Sequence, residues 1–141
     1  MSMLSLAQAN AILSSALAAA RRAGYKPMAV VVLDDAGDLK AAQREDGASM
    51  FRIEIATGKA WAAVGMGASS RALALRAKEN PNFYAGLAVT AKGRFLAQTG
   101  AVLVRDADGR TVGAVGASGG SGDEDEAICI AGVEAAGLAH G

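Results

Sequence analysis

The chain has 141 residues with 14 basic and 14 acidic side chains, so its formal net charge is zero. That balance argues against a nucleic acid or an anionic membrane as the main partner, because both are recognised through a basic excess. Hydrophobic residues make up 52% and aromatics only 4%, so a single domain spanning 1–141 must build its core from Ala, Val, Leu and Ile.

Ser5-Leu6-Ala7-Gln8 forms a capping box that opens a helix to about Ala23, with Leu6, Ala9, Leu13, Ala16, Leu17 and Ala20 along one face. Arg21, Arg22 and Gly24 close it. Met28 to Leu33 is a short, β-branched apolar run, read as a buried strand. The turn Asp34-Asp35-Ala36-Gly37-Asp38 returns it through Leu39 to Gln43 as a hairpin, and Arg44-Glu45-Asp46-Gly47-Ala48 leads out as a polar loop.

Ser49 to about Met66 reads as a central helix, apolar nearly all round, with Met50, Ile53, Thr57, Ala60 and Val64 in one stripe. Ser69-Ser70 caps a shorter helix through Lys78, which Asn80-Pro81 ends. In 82–100, Phe83-Tyr84 follows a proline turn, and Gly86, Gly93 and Gly100 punctuate one or more short strands. Ala101 to Arg105 and Arg110 to Ala117 form a second hairpin around Asp106-Ala107-Asp108-Gly109. A last helix, about Asp123 to Leu138, turns Ile128, Ala131, Ala135 and Leu138 inward. The expected architecture is α/β of the α+β kind, an antiparallel sheet of about five strands covered by helices.

Ahead of that last helix lies Val112-Gly-Ala-Val-Gly-Ala-Ser-Gly-Gly120, followed by a second capping box, Ser121-Gly-Asp-Glu124. Glycine-rich loops at helix starts attract anions, but carboxylates at 123–126 already hold this end, and no Lys or Arg follows Gly113. Neither a P-loop lysine nor the dinucleotide glycine spacing is present, and no zinc or calcium spacing appears. Residues 1–20 lack the basic start of a signal peptide, and the Ala-rich run 11–20 is too short for a bilayer, so a cytoplasmic location is expected. Cys129, the single cysteine, forms no intramolecular disulfide and reads as a small core residue.

Together the Ala-rich first helix, Val30-Val-Val-Leu-Asp-Asp-Ala-Gly37, Arg44-Glu-Asp-Gly-Ala48, Lys59-Ala60, and Val112 to Gly120 followed by Asp125-Glu126 resemble the GlcG/HbpS family of haem-degrading-domain proteins. That family also contains the C-terminal domain of PduO. The resemblance implies a profilin-like fold, assembly into a homo-oligomer, and haem or corrinoid binding in some members. Haem ligation there falls to a first-helix His, which this helix lacks; the only His is His140, near the end. The family's Gly-Gly-x-Pro segment is replaced here by Gln98-Thr-Gly-Ala101.

Arg44 is either half of an Arg44–Asp46 pair that pins its loop, or a clamp for a carboxylate or haem propionate. Lys59 on its apolar helix either snorkels to the surface or, if buried, becomes a base or amine nucleophile. Asp46, Asp125 and Glu126 are helix or loop charges, or carboxylates that complete an acid–base set with Lys59. Phe83 and Tyr84 anchor their loop or wall a pocket, whereas Met50 and Met66 read as core or interface. The expected pocket joins Arg44, Lys59, Phe83, Tyr84 and the Ser118-Gly119-Gly120 loop around a small organic ligand, haem or a related tetrapyrrole being the family-implied one. An acid–base enzyme of small metabolites and a non-catalytic accessory subunit remain as alternatives.

Overall fold

A computed structural model describes residues 3–141. Helix α1 (Leu6–Ala23) starts on the reciprocal Ser5–Gln8 bonds, at 2.9 and 3.0 Å. Strands β1 (Ala29–Asp34) and β2 (Leu39–Arg44) make the first hairpin. Three helices follow: α2 (Arg52–Met66), α3 (Ser70–Glu79) and α4 (Pro81–Thr90). Strands β3 (Ala101–Arg105) and β4 (Thr111–Ser118), helix α5 (Gly122–Ala135) and the short β5 (Ala139–His140) complete the chain.

The five strands are antiparallel in the order β2-β1-β4-β3-β5. Period two divides β1 between the faces: Val30 and Val32 meet α1 and α5, while Val31 and Leu33 meet α2. Covered on both faces, the strand can be apolar throughout. A third cluster, Ala62, Leu73, Tyr84 and Phe95, joins α2 to α3 and α4. This is the profilin-like arrangement. Among the described residues no helix is long and apolar enough to cross a membrane.

Alanine and glycine decide how close the layers come. A Cβ on Gly116 of β4 would collide with the Ala56 carbonyl and press on Ala60, so α2 lies almost directly on the strand.

Four expectations need correction. Residues 81–90 are helical rather than a strand region: Pro81 supplies the preset φ of a first helical position, and Asn80 ends α3 as it begins α4. The fifth strand is instead formed by Ala139 and His140, paired with Arg105 and Val104. On α5 the buried face is Ile128, Cys129, Gly132 and Val133, rotated from the expected one because the small Gly132 lets α1 approach. Likewise α2 begins at Arg52, leaving Met50 and Phe51 exposed before it.

Candidate functional site

Chain direction brings three elements to one end of the sheet. β4 ends at Ser118, Gly119 and Gly120 carry the chain into α5, and α2 passes over the same end between Arg52 and Lys59. Ser121 caps α5 through its capping box with Glu124, which places Asp125 in the first turn facing inward.

Lys59 and Asp125 meet there as a buried ion pair, Nζ to Oδ2 at 3.0 Å, with 5% and 2% exposure. Nζ also donates to the Ala117 carbonyl at 3.0 Å, and Asp125 Oδ1 accepts from the Gly120 amide at 2.9 Å. Lys59 therefore does not snorkel: with α2 pressed onto β4, its stem runs between helix and strand, and the pair offsets its desolvation.

Arg52 lies seven residues before Lys59, two helical turns away on the same face. Its guanidinium donates to Ser118 Oγ at 3.1 Å, and among the described residues it has no carboxylate within ion-pair distance. A hollow of about 450 Å³ opens between these groups, with Arg52, Lys59, Asp125 and Ser118 on its polar side and Ile55 and Leu96 on its apolar side. Gln98 and Thr99 add neutral donors and acceptors.

The acidic run that would repel an anion is already engaged. Arg71 of α3 binds Asp123 and Glu126, the latter at 3.0 Å, and Glu124 closes its own cap. Those bonds, Glu126 first, raise the Arg71 pKa further above its usual range. With Lys59 and Asp125 cancelling, Arg52 leaves the hollow one positive charge in excess.

Lys59, Asp125, Ser118 and Gly120 thus share one hollow, with Gly119 in the connecting backbone. Arg44 and Asp46 line another, of about 390 Å³, with Arg21, Pro27 and Glu45. The loop is pinned not by Arg44–Asp46 but by Glu45, which accepts from the Met28 amide at 2.8 Å and pairs with Arg21 at 2.9 Å. Arg44 turns to the Ala48 carbonyl at 2.6 Å. Phe83 and Tyr84 sit on α4; Tyr84 packs on Phe95 with ring centroids 6.1 Å apart, and Phe83 is exposed. Cys129 is buried on α5 and does not line the hollow, its Sγ lies 3.5 Å from the Gly100 carbonyl, and desolvation, then Asp125, pushes its thiol pKa up.

Arg52 is not among the residues that stand out in the sequence. Its signal was the seven-residue spacing to Lys59 on a helix otherwise poor in charge.

With this fold and this hollow, the chain belongs to the HbpS-like family: the model described as haem degrading protein HbpS-like matches residues 4–134. It is similar to the structure of a PduOC:heme complex, at 26% identity and a TM-score of 0.86, covering 97% of each chain. It is also similar to HbpS, at 30% identity and a TM-score of 0.82, over 95% of this chain and 90% of that one. A double mutant of HbpS from Streptomyces reticuli matches at 30% identity and a TM-score of 0.82, over 95% and 87%. Klebsiella pneumoniae protein ORFY, at 22% identity, a TM-score of 0.87 and coverage of 97% and 93%, shares the fold. No curated protein matches the chain significantly.

The donor set of the hollow fits the periphery of a haem but not its iron. Arg52 suits a propionate, and Ile55 and Leu96 suit the ring. Among the described residues no His, Met or Cys lines the hollow, and its one amine, Lys59, is bound to Asp125 and Ala117. His140 stands on β5, beside a different hollow with Ser69 and Glu126.

Proposed function

We propose that this protein binds a small organic carboxylate in the hollow between α2, β4 and α5, the propionates of haem or a related tetrapyrrole being the form its family suggests. One observation carries the reading: the Arg52 guanidinium, without a carboxylate partner, faces a hollow in which every other charge is neutralised. Guanidinium binds carboxylate through paired, directional bonds. Lys59, Ser118 and Gly120 form the wall against which the ligand rests.

The acid–base alternative finds less support, because Lys59 is committed to Asp125 and the Ala117 carbonyl rather than held as a free amine. Assembly into a homo-oligomer belongs to the same proposal, with the exposed Met50 ahead of α2 as a residue a second copy would cover.

Titration of wild type and Arg52→Ala with haemin, followed at the Soret band, tests this. The expected result is binding by wild type and a loss of about tenfold or more in Arg52→Ala, the scale of one charge-assisted pair. Metal-free protoporphyrin IX should bind with comparable affinity, since the hollow offers no soft or imidazole ligand. Identical binding by Arg52→Ala and wild type would overturn the assignment.

A further inference from the structure

The polar hollow does not end at Ile55 and Leu96. The same two side chains form one wall of a neighbouring groove of about 220 Å³ that continues along α2 past Phe51, Gly58 and Phe95. Its floor is low because Gly58 has no side chain. A Cβ there would come within 3.0 Å of the Leu96 Cβ, and the Leu96 amide bonds directly to the Gly58 carbonyl at 3.3 Å. Ile55 and Leu96 are half-buried, and Phe51 is 56% exposed. One charged side chain, Glu54, edges this groove, and it would repel an anionic end.

Charge therefore gives the combined cleft a direction. Resting on the carboxylate reading above, we propose that the ligand is an amphiphile: its carboxylate sits at Arg52, and its apolar body lies along α2 over Ile55, Gly58 and Leu96 toward Phe51. The Arg52 side of the cleft attracts the anion and the Glu54 side repels it, which favours one orientation of the molecule. Apolar area buried in the groove adds affinity in proportion to the length of the body.

The test uses straight-chain carboxylates as probes, butyrate, octanoate and dodecanoate, each below its micelle concentration, with affinities from calorimetry. Affinity should rise by about tenfold or more from butyrate to dodecanoate. Phe51→Ser, at an exposed position where folding is not at risk, should flatten that rise while leaving butyrate unchanged, and Leu96→Ser, which borders both hollows, should flatten it as well. Arg52→Ala should weaken all three acids by a similar factor. Equal affinity for the three acids, still lost in Arg52→Ala, overturns the apolar subsite and leaves the carboxylate site standing. A rise with length that neither serine variant alters also overturns it. No binding of any acid, or none sensitive to Arg52→Ala, overturns the carboxylate reading itself.

Discussion

Lys59 and Asp125 are the two charged side chains that the fold buries among the described residues, and each satisfies backbone groups as well as its partner. Removing one therefore costs more than a surface pair would. Asp125→Ala leaves a buried ammonium without its counter-charge and the Gly120 amide without its acceptor, and should lower stability by about 3–5 kcal/mol in urea unfolding. The double variant Lys59→Met, Asp125→Asn should lose clearly less than the sum of its single changes, because no lone charge remains. Additive losses would mean that the two side chains act independently. Cys129 gives a prediction with a sign. Its folded pKa is raised, so the unfolded chain loses the thiol proton first, above about pH 8.5. Stability is then full below that pH and falls as pH rises toward the folded value, by up to about 1.4 kcal/mol per unit. Cys129→Ala should lack this component when urea midpoints of the two proteins are compared from pH 7 to 10. Parallel pH profiles would refute it.

At the level of elements, small residues set the spacing. Gly116→Val would drive a branched side chain into the Ala56 carbonyl and should cost about 1–3 kcal/mol or more by over-packing, read from denaturant midpoints. It should also disturb the hollow, since α2 carries both Arg52 and Lys59. Helix α4 is the contrasting case. Tyr84 is its one buried residue, so its amides should exchange with deuterium sooner than those of α2. Equal protection in the two helices would contradict this. Elements with strong local signals were legible in sequence: both capping boxes, the continuous apolar β1 and both hairpins form where caps, turns and periodicity put them. Residues 81–90 were not, because Pro81 both ends one helix and starts the next, and the Phe83-Tyr84 pair carries no period. β5 was invisible for another reason: two residues hold no pattern, and only pairing with β3 makes them a strand.

For the molecule as a whole, the layered sheet brings residues sixty-six apart, Arg52 with Ser118 and Lys59 with Asp125, into one cleft. Half of that cleft could be read from the sequence, since the glycine-rich run and Lys59 stand out against their surroundings. Arg44 and Asp46 stood out equally, yet they line a separate hollow with Arg21 and Glu45. Sequence prominence reports an unusual residue, not the partner that the topology gives it. In the proposed function, Arg52 and the Ser118–Gly122 segment receive the ligand. Amide chemical shifts recorded while protoporphyrin IX is added to the labelled protein test this most directly. Changes centred on Arg52, Gln98, Thr99 and Ser118 to Gly122 are expected. Changes centred on Arg44 to Asp46, or around His140 and Ser69, with that segment unmoved, would contradict it.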